Sequence, residues 1–122
     1  MFVFLKSRAE ILKKDLDMVK ARFKKAVKDK LARINNDEER IGFIKEADIT
    51  EEIERLAFHI GNFKSKLSKY GPIGKELDFV AQEMQREANT MGAKSCDAAI
   101  SSTVVQIKSQ IEKIREQAQN IE

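Results

Sequence analysis

Residues 100–121, "ISSTVVQIKSQIEKIREQAQNI", decide how the rest of the chain is read. The residues Ile100, Val104, Ile107, Ile111, Ile114, Ala118 and Ile121 are apolar and alternate four and three apart without a fault. That spacing returns to one side of an α-helix and makes a seam of coiled-coil type. A strand would alternate every second residue instead. Asp97 stands where an N-cap belongs. A helix with one apolar seam needs other helices to bury it.

Working outward, the rest of the chain supplies them. Leu77, Ala81, Met84, Ala88 and Met91 repeat at the same spacing, with Gly92 placed to follow the helix end. Ile53, Leu56, Ile60, Phe63 and Leu67 do so in a second stretch. Asp48 or Thr50 is placed to cap its start, Glu51 completes a capping-box spacing with Asp48, and "YGPIG" (70–74) ends it. Leu5, Ala9, Leu12, Leu16, Val19 and Phe23 mark a long first helix over about residues 3–35, after which "NNDEER" (35–40) breaks the pattern. The spacing predicts an all-α fold: a helical bundle of hairpins with one long N-terminal helix, in a single domain over 1–122. The first stretch starts without a cap signal. This predicts a chain cut from something longer, or an arm that packs on another subunit.

Composition narrows the class. With 35% charged residues, 42% hydrophobic and a single Pro, the chain reads as helical and globular. No run approaches the ~20 apolar residues of a membrane span, and "MFVFLK" is too short for a signal-peptide core. The single cysteine, Cys96, forms no internal disulfide. A cytoplasmic location is expected. The net charge of +3 is unevenly spread, because residues 1–34 are rich in Lys and Arg while the remainder is mildly acidic. A basic arm favours nucleic acid or another acidic partner; the plainer reading is a helix with lysines on its wet side.

The chemistry concentrates on two helix borders. On a wheel of about 100° per residue, Asp78, Gln82, Gln85 and Asn89 line one edge of the third seam. Glu76, Glu83, Glu87, Thr90 and Lys94 line the other. Glu83 and Glu87 are four apart and repel mildly unless something compensates: Arg86, Lys94, a partner's base or a metal ion. Carboxylates of this kind hold Mg²⁺ or Mn²⁺ through oxygen. The second seam has a matching border of Glu52, Arg55, His59, Asn62 and Lys66. His59 is the single histidine, so one chain offers no multi-His metal site. Histidine moves protons near neutral pH and arginine grips phosphate. Together these are parts for phosphodiester cleavage, or simply faces laced with salt bridges. Phe58 and Phe79 point away from both seams, which predicts a further layer or an oligomer contact.

Three blocks, "ADITEEIERLAFHI" (47–60), "GPIGKELDFVAQEMQREANTMGAK" (71–94) and "IEKIREQAQNIE" (111–122), resemble the C-terminal region of the YicC family. The middle block carries most of the specificity. The likeness is clear over about 45–122 and weak through the first helix. Gln85 stands where the family often has Asn, and Ala93 where it often has Ser. The resemblance implies a bacterial, cytosolic, stress-associated endoribonuclease that uses a divalent metal and assembles as a hexamer. It also implies an N-terminal domain that this chain lacks. It singles out Glu52, Arg55, His59, Asp78, Gln82, Glu83, Arg86, Glu87, Asn89 and Lys94. Catalysis is expected from Glu52, His59, Glu83 and Glu87. RNA phosphates are assigned to Arg55, Lys75, Arg86 and Lys94, and a metal to Glu83, Glu87 and Asp78. Gln82 and Asn89 complete the polar signature. The alternative is a non-catalytic helical module that oligomerises and binds RNA or protein through Phe58, Phe79 and the basic helix.

Overall fold

The computed structural model describes residues 2–68, 74–94 and 96–121. Among these residues there are helices and no strands: α1 (Phe2–Arg33), α2 (Asp37–Ala47), α3 (Thr50–Leu67), α4 (Gly74–Ala93) and α5 (Ala98–Gln119). The seams read from the sequence are the buried surfaces. Ile100, Val104, Ile107, Ile111, Ile114 and Ala118 of α5 are all buried, and Ile121 packs against the same core. Leu77, Met84 and Met91 of α4 and Leu56 and Phe63 of α3 lose all their exposure.

Four helices close around this core. α4 packs between α3 and α5, and α1 closes the ring by packing on α5 and α3. Polar contacts fix the directions. Arg8, early in α1, meets Gln110 in the middle of α5, and Arg22, later in α1, meets Asp97 at the start of α5. Glu10 of α1 meets Lys64, late in α3. Every neighbouring pair is therefore antiparallel, an up-down-up-down bundle. The expected basic arm is in fact a bundle member over most of its length. Leu5, Ala9, Leu12, Leu16 and Val19 are at most 3% exposed. Beyond them burial lapses to the partly buried Phe23 and Ala26.

Two boundaries differ from the sequence reading. "NNDEER" is not simply a break, because Asn36 caps a further helix, α2, accepting from the backbone N–H of Glu38 and Glu39 at 2.8 and 3.2 Å. Asp37, Glu38 and Glu39 fill its first turn, where acids suit the helix dipole. Ile41 and Ile44 stay largely exposed, Phe43 is half-buried and only Ala47 is buried, so no clean periodic seam announced it. Gly92 lies inside α4 instead of beyond it. Asp97 caps α5 as expected, accepting from Ala99 and Ile100. Asp48 accepts from the Thr50 N–H and hydroxyl at 2.9 and 2.6 Å, while the N-cap position itself is Ile49. The expected stop at 70–74, apart from Gly74, lies outside the described residues.

Candidate functional site

The antiparallel packing of α3 on α4 lays one polar border against the other. Lys66 meets Glu76 at 3.2 Å near one end. Arg55 meets Glu87 further along, its Nε donating to both carboxylate oxygens at 3.0 and 3.1 Å. Lys94, just past α4, donates to Glu52 Oε1 at 3.3 Å. These pairs make a single charged groove between the helices. They exist because both borders sit beside apolar seams that must face the same core.

At the α3 N-terminal end the groove becomes a cluster. Glu52 is 2% exposed and Glu87 7%, the two buried charged side chains among the described residues. Arg55 lies between them: its second guanidinium nitrogen is 3.7 Å from Glu52 and its first 3.2 Å from Glu51. The acids hold the Arg55 charge firmly, raising its pKa, with Glu87 the larger cause. Burying carboxylates is costly unless they are paired, and here each buried acid has a base. The pairing is incomplete, however. Glu52 Oε2 is shut away from solvent with no hydrogen-bond partner. A cleft of about 300 Å³ opens beside it, lined by Ile44, Lys45, Asp48, Glu51, Glu52 and Lys94.

The residues singled out from sequence divide into those that converge and those that do not. Glu52, Arg55, Glu87 and Lys94 come together. Glu83 pairs with Arg86 on its own helix at 3.7 Å. The register of the cross-helix pairs sets His59 level with Glu83, and its ring meets the Phe58 edge at 5.7 Å between centroids. Asp78 lies on the other flank of α4, where it bonds Arg115 of α5 and accepts from Gln82. Asn89 is exposed. Lys75 stands in the first turn of α4, most of the helix away from Lys94, about 28 Å at 1.5 Å per residue. Gln85 Oε1 is buried without a partner.

The acids expected to hold a metal fit it poorly. Asp78 faces away from Glu83 and Glu87, and both glutamates already pair with arginines. Among the described residues no three His, Cys, Asp or Glu side chains gather as ligands would. The sequence reading missed Lys45 as part of the cleft because it missed α2, and it took Asp48 and Glu51 only as capping residues. Asn36 followed by three acids was the signal that could have found it.

Fold and groove define a class: a helical bundle with a charged groove carrying buried carboxylates and their arginine and lysine partners. The chain belongs to the family described as "Endoribonuclease YicC-like, C-terminal", which it matches over residues 5–122. The likeness thus includes α1, well beyond the blocks that first suggested it. A probable endoribonuclease YicC of Clostridioides difficile (strain 630) is 51% identical over 80 residues, covering 66% of this chain and 27% of that protein. One from Haemophilus influenzae is 41% identical over 86 residues, covering 70% of this chain and 30% of that protein. The chain spans less than a third of the length of either relative. No helix among the described residues is long and apolar enough to cross a membrane.

Proposed function

We propose that the α3–α4 groove is the RNA-cleaving site of a YicC-like endoribonuclease, acting at the level of Arg55. One observation carries the reading: Arg55 is held between two buried carboxylates, Glu87 and Glu52. A guanidinium so placed is oriented to grip a phosphate. When an RNA phosphate takes the hydrogen bonds of Arg55, Glu87 is released to accept the proton of the attacking oxygen. That oxygen bonds to phosphorus as the bond to the leaving oxygen breaks. His59, one turn along α3 from Arg55, returns a proton to the leaving oxygen. Arg86, 74% exposed on the outer side of α4, holds a neighbouring phosphate, and the lysines of α1 draw the strand in. No step is routed through a metal, because among the described residues no three acids gather as ligands would.

The test is RNA cleavage by the 122-residue chain, with Mg²⁺ or Mn²⁺ and with EDTA. Glu87→Gln should lower cleavage about 10²-fold or more, while Lys75→Ala, at the far end of α4, should leave it unchanged. Equal activity of Glu87→Gln and the parent would refute the assignment. A second reading is favoured by Phe58 and Phe79, 69% and 61% exposed: a non-catalytic module that binds RNA or protein. It predicts salt-sensitive RNA binding without turnover.

A further inference from the structure

We propose that the cleft between α2, α3 and the end of α4 receives an unpaired guanine base of the RNA strand, with Glu52 as its reader. The inference rests on the RNA reading of the neighbouring groove, and it names what that groove selects. Glu52 Oε2 is an acceptor with no donor, on a side chain almost wholly buried and lining this cleft. A buried acceptor left without a partner is costly, so native structures rarely keep one unless something else satisfies it. The missing group must bring a hydrogen-bond donor, and a pair of adjacent donors would engage both oxygens of the carboxylate.

The rest of the lining narrows the ligand. Lys45 and Lys94 line the same space, and their positive charge disfavours a plain cation and favours a ligand that also carries acceptors. Ile44, still 44% exposed, offers an apolar wall for a flat ring. The cleft, at about 300 Å³, reaches the lower range of small-molecule sites. Among RNA bases, guanine alone sets two adjacent N–H donors, N1 and N2, beside acceptors at O6 and N7. Lys94 is held to Glu52 Oε1 by one contact at 3.3 Å and is 38% exposed. For the base to bind, Lys94 swings to O6 and the Glu52 carboxylate, whose Oε2 is closed to solvent in the unbound structure, turns outward so that both its oxygens accept from N1–H and N2–H. Proteins read single-stranded RNA in this way, through the edges of unstacked bases. Arg55, one turn along α3, is then placed for the phosphate next to that base.

The experiment is equilibrium binding of the 122-residue chain to short single-stranded oligonucleotides that differ at one central base. Guanosine should bind about ten-fold tighter than inosine, which lacks the N2 amino group, and tighter than adenosine or uridine. In Glu52→Gln that preference should vanish while general binding persists. Lys94→Met, which keeps the Glu52 carboxylate but removes its lysine partner, should also flatten the preference if folding of Glu52→Gln is impaired. Equal affinity for all four oligonucleotides would overturn the guanine pocket while leaving the RNA reading intact. Absence of binding to any of them would refute the RNA reading itself. Guanosine monophosphate binding as tightly as the guanosine oligonucleotide would move the ligand to free nucleotide and overturn the strand assignment.

Discussion

Glu87 shows how much one side chain can reveal here. Its carboxylate is 9% exposed and takes both of its hydrogen bonds from Arg55 Nε, which sits on a side chain about half exposed. Glu87→Ala removes the acid and leaves Arg55 facing Glu51 and Glu52. Breaking a fully buried pair costs about 3–5 kcal/mol. Here solvent screens one partner, so a loss of roughly 1–2 kcal/mol in urea denaturation is expected. Lys75→Ala should change stability by less than about 0.5 kcal/mol. The sequence showed that Glu52, Arg55, Glu87 and Lys94 border apolar seams, because helical period fixes the face. It could not show that they meet. The offset between two helices along their axes comes from packing, and it is this offset that sets Glu87 against Arg55 and leaves Asp78 on the far flank.

At the scale of elements, helix ends hold the clearest predictions. Asp97 caps α5 and also binds Arg22 of α1 at 2.8 Å. Asp97→Ala should therefore lower stability by about 0.5–2 kcal/mol, read by thermal or urea unfolding. Gly74 opens α4 against the end of α5: an added Cβ would lie 2.8 Å from the Ala118 carbonyl oxygen, with the Ile121 carbonyl also in the way. Because these are backbone atoms, the neighbour cannot simply rotate aside. Gly74→Ala should cost about 1–3 kcal/mol, whereas Gly61→Ala, which meets nothing within 4 Å, should stabilise α3 slightly through helix propensity. The same scale explains the missed helix. α5 was legible because its six buried seam positions, Ile100 to Ala118, never break step. α2 was not, since it buries only Ala47 while Ile41 and Ile44 stay largely exposed, and the cap at Asn36 was its clear mark.

Across the whole molecule, the four seams form one core, so deep truncations should act globally. Phe63→Ala, at a fully buried position, should cost about 3–5 kcal/mol and unfold the bundle cooperatively. Acid should weaken the fold through particular carboxylates. Bonds from the Thr50 hydroxyl and backbone hold Asp48 below the usual carboxylate range, and Arg22 does the same for Asp97. Unfolded, both return to about 3.9. Their contribution is complete above that value and is lost as pH falls from about 4 through their lower folded values. The melting temperature should thus decline below about pH 4, less steeply in Asp97→Asn. The central claim is that RNA engages the α3–α4 groove, and the single histidine makes it directly testable. The imidazole Cε1–H signal of His59 can be followed by proton NMR as single-stranded RNA is added. The groove assignment predicts that this signal shifts in step with binding measured separately. RNA that binds while the His59 signal stays unmoved would contradict it and place the strand elsewhere, on the basic face of α1.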